Sequence, residues 1–188
     1  MATFLKHTLA LLICLIQTGC STLTGISGDY PKSWPLIPPT SSKDCPNLSG
    51  KYQNLAAYSF LPAYEANSLS KRLGLATDDL KSITLTHSLN TLTIETVDNK
   101  NGVHKLVLSR GANDFTCSDG AITLPPVVVK AGDGTGGYRS TRRLFLWRAA
   151  DGSLVGEDKL FSVGALLWLV PIVRGQTFWY RWSLLNES

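Results

Sequence analysis

The chain has 188 residues, a formal net charge of +4, 44% hydrophobic residues and 17% charged residues. That balance excludes an intrinsically disordered chain, and the length suits one domain with a real core better than two. The mild positive charge permits attraction to anionic lipid or cell-wall polymer without demanding it, and no nucleic-acid partner is expected.

The N-terminus reads as an export signal. Lys6 gives a short basic start, and the apolar run from Leu9 to Ile16 leads to Thr18-Gly19-Cys20-Ser21. A transmembrane helix needs about 20 apolar residues, whereas a secretory core needs roughly 7–15. The pattern resembles a bacterial lipoprotein signal peptide over residues 1–19, which implies cleavage before Cys20 and acylation of its sulfur by palmitate or a similar chain. Such signals carry Leu three residues before the cysteine, and Gln17 stands there instead. Ordinary cleavage near Gly19, with release into the periplasm, is therefore the alternative. Ser21 in the second position resembles the outer-membrane sorting pattern, so the expected location is the periplasmic face of that membrane.

Residues 20–44 read as a tether. Pro31, Pro35, Pro38 and Pro39 stand among Ser, Thr and Gly with no period of 2 or 3.6. Tyr30 and Trp34 are expected to pack back on the domain rather than lie in the lipid interface. Four cysteines constrain the rest. Cys14 leaves with the signal and Cys20 is capped, so Cys45 and Cys117 remain as an even pair in an oxidising compartment. The expected disulfide closes a long loop, a constraint of about 4 kcal/mol in the chain-entropy model. The alternative is two free thiols serving as metal ligands or a nucleophile, and it lacks a neighbouring His or Cys.

Residues 45–188 read as a single β-rich domain opening on Cys45-Pro46-Asn47-Leu48-Ser49-Gly50-Lys51-Tyr52. This opening, with Asp114-Phe115-Thr116-Cys117-Ser118-Asp119-Gly120 and Phe178-Trp179-Tyr180-Arg181-Trp182, is similar to a group of small, uncharacterised proteobacterial outer-membrane lipoproteins. The resemblance implies no reaction. The Gly-x-Tyr strand also resembles lipocalin-like barrels, by fold analogy alone.

One short helix is expected from Pro62 to about Leu73, after a first strand over Ser49 to Ala56. Ala66, Leu69 and Leu73 share its apolar face, Gly74 caps it, and Glu65, Lys71 and Arg72 form a solvated face. From Lys81 the period becomes 2: Ile83, Leu85 and His87, then Leu92 and Ile94, then His104, Leu106 and Leu108. Ala121 to Lys130 is a strand interrupted by Pro125-Pro126. Arg142 to Ala149 and Ser153 to Phe161 flank the hairpin signal Asp151-Gly152, and Gln176 to Leu184 closes the set. The fold class expected is mainly β: an antiparallel meander of about eight strands, closed as a barrel or half-barrel, with a two-sheet sandwich as the alternative.

Chemistry is sparse. The Gly132-to-Gly137 loop lacks the Lys-Ser/Thr that a phosphate loop requires. His87 and His104 fall on separate strands with no third metal ligand. Glu157 and Asp158 are adjacent and so face opposite sides of a strand. No catalytic residue, metal or cofactor is therefore assigned. Two surface features stand out. Ala165 to Val170 is continuously apolar, which makes Leu166, Leu167, Trp168 and Leu169 a candidate contact with membrane or partner, against plain burial. Arg139, Arg142, Arg143 and Arg148 crowd one strand, with Arg174 and Arg181 on later segments, read as ordinary solvated positions. The expected function is a non-enzymatic structural or interaction module held at the membrane. A carrier of a small apolar ligand is the alternative, and a hydrolase comes third.

Overall fold

The computed structural model describes residues 26–39, 45–58, 68–75, 80, 82–98, 102–133, 136–166 and 170–185. In chain order they form β1 (Ile26–Ser27), β2 (Gly50–Gln53), β3 (Ala57–Tyr58), the single turn α1 (Leu69–Arg72), β4 (Ser82–Ser88), β5 (Thr91–Val97), β6 (Val103–Ser109), β7 (Thr116–Ser118), β8 (Ala121–Thr123), β9 (Val127–Asp133), β10 (Gly136–Arg148), β11 (Leu154–Leu166) and β12 (Val170–Trp182).

The smaller sheet runs β2-β4-β5-β6, antiparallel throughout. Its alternation is the one read from sequence. Ile83, Leu85, Leu92 and Ile94 turn inward and are buried, while Thr84, Thr86 and Glu95 occupy the other face. The larger sheet runs β1-β12-β11-β10-β8-β7, with β3 added to β12 and β9 added to β10. All its pairings are antiparallel except the short parallel contact of β1 with β12. Gly152, at φ 83°, supplies the positive φ at the turn between β10 and β11, where Asp151-Gly152 announced a hairpin.

The mainly β, antiparallel class holds, but the sheet does not close into a barrel. Along one side the two sheets join: Tyr52 bridges to Leu184, Gln53 N–H donates to Ser183 at 3.0 Å, and Leu185 N–H donates to Lys51 at 2.7 Å. On the opposite side, among the described residues, no ladder joins β6 to β7. The chain there turns through the 3-10 segment Arg110–Ala112 and a left-handed Asn113, and leaves the first sheet. The outcome is closer to the two-sheet alternative.

One core lies between the sheets. Leu48, Tyr52, Phe115, Ile122, Leu146, Leu154 and Trp182 are essentially without solvent exposure. Gly156 lets the Trp182 ring lie against the β11 backbone, since a Cβ there would come within 2.7 Å of the indole. The Cys45–Cys117 disulfide is formed across a separation of 72 residues and ties the segment before β2 to β7.

Of the expected helix, α1 is the described part, and residues 59–67 lie outside the described residues. Its end is capped as read: Gly74 has φ 78° and its N–H reaches the Lys71 carbonyl. Residues 26–39 do not stand off as a tether but run along the outer face of the larger sheet. Cys20, and the signal before it, lie outside the described residues.

Candidate functional site

Strands β10, β11 and β12 are each 13 residues long, and the core occupies only one end of them. On β11, residues 154–158 are buried, whereas 159–165 alternate between exposed and half-buried. The far halves of the three strands, together with β9, therefore form a four-stranded arm that leaves the core.

Register assigns the faces of this arm. Tyr138, Ser140 and Arg142 continue the inward side of Leu144 and Leu146, together with Ile172, Arg174, Val127 and Val129. Arg139, Thr141 and Arg143 continue the outward side of Phe145 and Trp147, together with Phe161, Val163, Val128 and Lys130. Apolar side chains are exposed on both faces: Tyr138 52% and Ile172 46% on one, Phe161 53% and Val163 46% on the other. A core strand alternates apolar with polar because one side is covered. Here both faces carry exposed apolar side chains.

At the root of the arm sits a buried ion cluster. Asp158, facing inward on β11, accepts a hydrogen bond from Arg142 Nε at 2.6 Å and another from Arg72 Nη1. Arg72 also donates to the Tyr180 hydroxyl at 2.7 Å and lies 4.5 Å over the Tyr180 ring. Burial pushes the Asp158 carboxyl above its ordinary value, opposed by the charge and hydrogen bond of Arg142. Arg72 thus corrects the sequence reading. It is not on a solvated helix face but pins α1 to the sheet. The signal was present, because an Asp in phase with Leu154 and Gly156 points inward and a buried carboxylate requires a cation.

The other arginines singled out from the sequence divide into two groups. Arg148 donates to the Ser49 carbonyl at 3.0 Å, and Arg181 Nη2 lies 2.6 Å from Asp151. Desolvation raises Asp151, but hydrogen bonds from Ser153 and Arg181 and the Arg181 charge outweigh it and hold its carboxyl below the ordinary value. Arg139, Arg143, Arg174 and Lys130 are exposed and meet no carboxylate among the described residues. Arg139 stands directly across from Lys130, and Arg143 directly across from Lys159. Like charges placed opposite one another destabilise a sheet, so fold stability is no reason for these pairs. Lys159 is relieved by Glu157 at 3.2 Å and by the Phe145 ring at 5.0 Å. Among the described residues Lys130 and Arg139 have no such relief.

Nearer the core, the outward face is aromatic and covered. Trp147 and Trp179 meet at 5.7 Å, Tyr30 sits edge-on to Trp179 at 5.1 Å, and Trp34 sits edge-on to Tyr30 at 6.0 Å. The Trp179 indole N–H donates to the Gly28 carbonyl at 2.8 Å. Tyr30 and Trp34 do pack back on the domain. Beside β8 and β10, an open groove of about 410 Å3 is lined by Phe115, Thr123, Leu124, Pro126, Arg143 and Phe145.

The residues singled out from sequence are dispersed. His87 on β4 packs edge-on to Phe115 at 6.2 Å, while His104 on β6 pairs with Asp98 at 3.2 Å. Among the described residues no three His, Cys, Asp or Glu side chains are grouped to hold a metal. Glu157 faces outward and Asp158 inward, as their adjacency required. The Leu166 backbone pairs with Gly136 and Val170 at the end of the arm, whereas its side chain and Leu167, Trp168 and Leu169 lie outside the described residues. No protein-family model, curated protein or solved structure matches the chain.

Proposed function

We propose that the chain is an exported envelope lipoprotein, anchored through Cys20, that acts as a non-enzymatic interaction module with the β9–β12 arm as its contact surface. One observation carries this reading: the arm exposes Tyr138, Phe161, Val163 and Ile172 on its two faces, beyond the core. Exposed apolar surface of this extent marks a place where something else docks. The export signal and the Cys45–Cys117 disulfide agree with an oxidising compartment. The group of outer-membrane lipoproteins that the Cys45-to-Tyr52 opening resembles points the same way. The ligand-carrier alternative requires a hollow interior, and the space between the sheets is filled by Leu48, Tyr52, Phe115 and Trp182.

Two measurements test this reading. Intact-mass analysis of the native product should find cleavage before Cys20 and added acyl mass. A full-length species bearing four reduced thiols would refute export and anchoring together. Photo-crosslinking in the living cell from position 161 should capture an envelope component, and a crosslinker that reacts with water alone would refute the arm as a contact surface.

A further inference from the structure

Between β8 and β9 the chain carries one residue more than the strand beside it. Thr123 pairs with Phe145 and Val127 with Arg142, so Leu124, Pro125 and Pro126 face only Arg143 and Leu144. The Leu124 N–H reaches the Leu144 carbonyl at 3.0 Å, but the two exposed prolines after it have no N–H to give to the ladder. An extra residue of this kind bends its strand and re-aims side chains, and such bulges recur next to active sites. Here it borders the open groove of about 410 Å3, a volume suited to a small molecule. We infer that the groove binds a saccharide ring bearing a carboxylate, and that Arg143 holds the carboxylate.

The lining matches a sugar. Thr116, Thr123 and Phe145 stand in one cross-strand row on the outward side, with Ser118 two residues from Thr116 and Arg143 two from Phe145. Asn113 enters from the end of the 3-10 segment, at a φ of 62° that Asn tolerates better than most residues. Among the described residues, the exposed side chains of Asn113, Thr116, Ser118 and Arg143 make no hydrogen bond or ion pair with the rest of the chain. Asn, Thr and Ser side chains both donate and accept, as sugar hydroxyls do. Phe145 and the two prolines supply an apolar wall for the C–H face of a pyranose.

Arg143 sets the charge of the ligand. It stands directly across from Lys159, and the one carboxylate nearby, Glu157, pairs at 3.2 Å with Lys159 rather than with Arg143. Two cations and one carboxylate leave a single positive charge. That suits a carboxylate better than a phosphate monoester, which takes on a second negative charge near neutral pH. A planar guanidinium receives a carboxylate through two parallel N–H bonds. The bound anion also relieves the repulsion between Arg143 and Lys159, which costs the unliganded protein stability.

The test is a titration of the full chain with glucuronate, read by backbone amide shifts. Signals of Thr116, Leu124, Arg143 and Phe145 should move and saturate. Glucose, the same ring without the carboxylate, and acetate, the carboxylate without the ring, should each bind at least about tenfold more weakly. Arg143→Gln should bring glucuronate down to the affinity of glucose, and its Tm should not fall because a like-charge pair is removed. Thr116→Val, which leaves Arg143 in place, should weaken glucuronate and glucose alike. The inference is overturned by glucuronate that gives no saturating shift, by glucose or acetate that binds as well, or by a folded Arg143→Gln protein that still prefers glucuronate. Glucose 6-phosphate displacing glucuronate at lower concentration would overturn the choice of carboxylate. Phe161 does not line the groove, so photo-crosslinking from that position and this titration succeed or fail separately.

Discussion

Arg72, on α1, and Asp158, on β11, are 86 residues apart in sequence and form an ion pair whose side chains are 8% and 2% exposed. The pair is the joint between α1 and the sheet, and it sits where the arm leaves the core. Breaking a buried pair from one side leaves an uncompensated charge, which costs far more than the intact pair contributes. Asp158→Ala, which strands Arg72, should therefore destabilise the protein by about 3–5 kcal/mol in urea unfolding. Arg142→Ala removes the half-exposed partner and should cost about 1 kcal/mol. Equal losses from the two substitutions would contradict the assignment of Arg72 as the buried partner.

The disulfide joins Cys45, just before β2, to Cys117 on β7, near the side where the two sheets remain open. Replacing both cysteines with Ser should lower stability by about 2–4 kcal/mol, read as a drop in Tm that matches the effect of reductant on the parent. An unchanged Tm would mean that the core alone holds the sheets together.

The N-terminal strap is held by the β1–β12 pairing, a hydrogen bond from the Ala150 N–H to the Leu36 carbonyl at 2.9 Å, an aromatic contact and one indole hydrogen bond. Trp179→Phe keeps the ring beside Tyr30 and Trp147 but loses the donor to Gly28. A net loss of about 1 kcal/mol is expected, concentrated in residues 26–39. Hydrogen exchange should quicken at Gly28 and Tyr30, with the amides of β4 and β5 unaffected. Uniform quickening would show that the strap is part of the global folding unit.

Desolvation lowers the pKa of His87 below its ordinary 6.5, partly offset by a hydrogen bond with the Pro46 backbone. Below about pH 6.5 the unfolded chain thus binds a proton that the folded one does not, so stability declines as pH falls through that range. Once the folded state also binds the proton, the contribution levels off. Thermal melts should shift down from pH 7.5 to pH 5, and His87→Gln should flatten that slope. A further decline belongs to Asp151. Its depressed pKa stabilises the fold above the carboxylate range and is lost only as pH drops through its folded value.

Much of the fold is legible in local pattern. The alternation of Ile83 and Leu85 with threonines, and of Leu92 and Ile94 with theirs, needs only the two-residue repeat of a strand with one wet face. Asp151-Gly152 reports a turn because few other residue pairs tolerate its backbone. Cys45 and Cys117, the even pair that remains if the N-terminus is an export signal, were expected to form a bridge and do. The arm was not legible. Val127, Val128 and Val129 are a continuous apolar run, the pattern a strand buried on both faces also shows, and nothing local states whether a second layer lies above them.

What the sequence determined alone is therefore strand period and turn chemistry, which depend on neighbours a few residues away; the Cys45–Cys117 pair, 72 residues apart, was legible only by counting cysteines. The tertiary structure alone decided the open side between β6 and β7, the burial of Arg72, and the emergence of β9–β12 from the core. Each of these depends on contacts between segments distant in the chain, where the free energy of burying a group is set by what arrives opposite it.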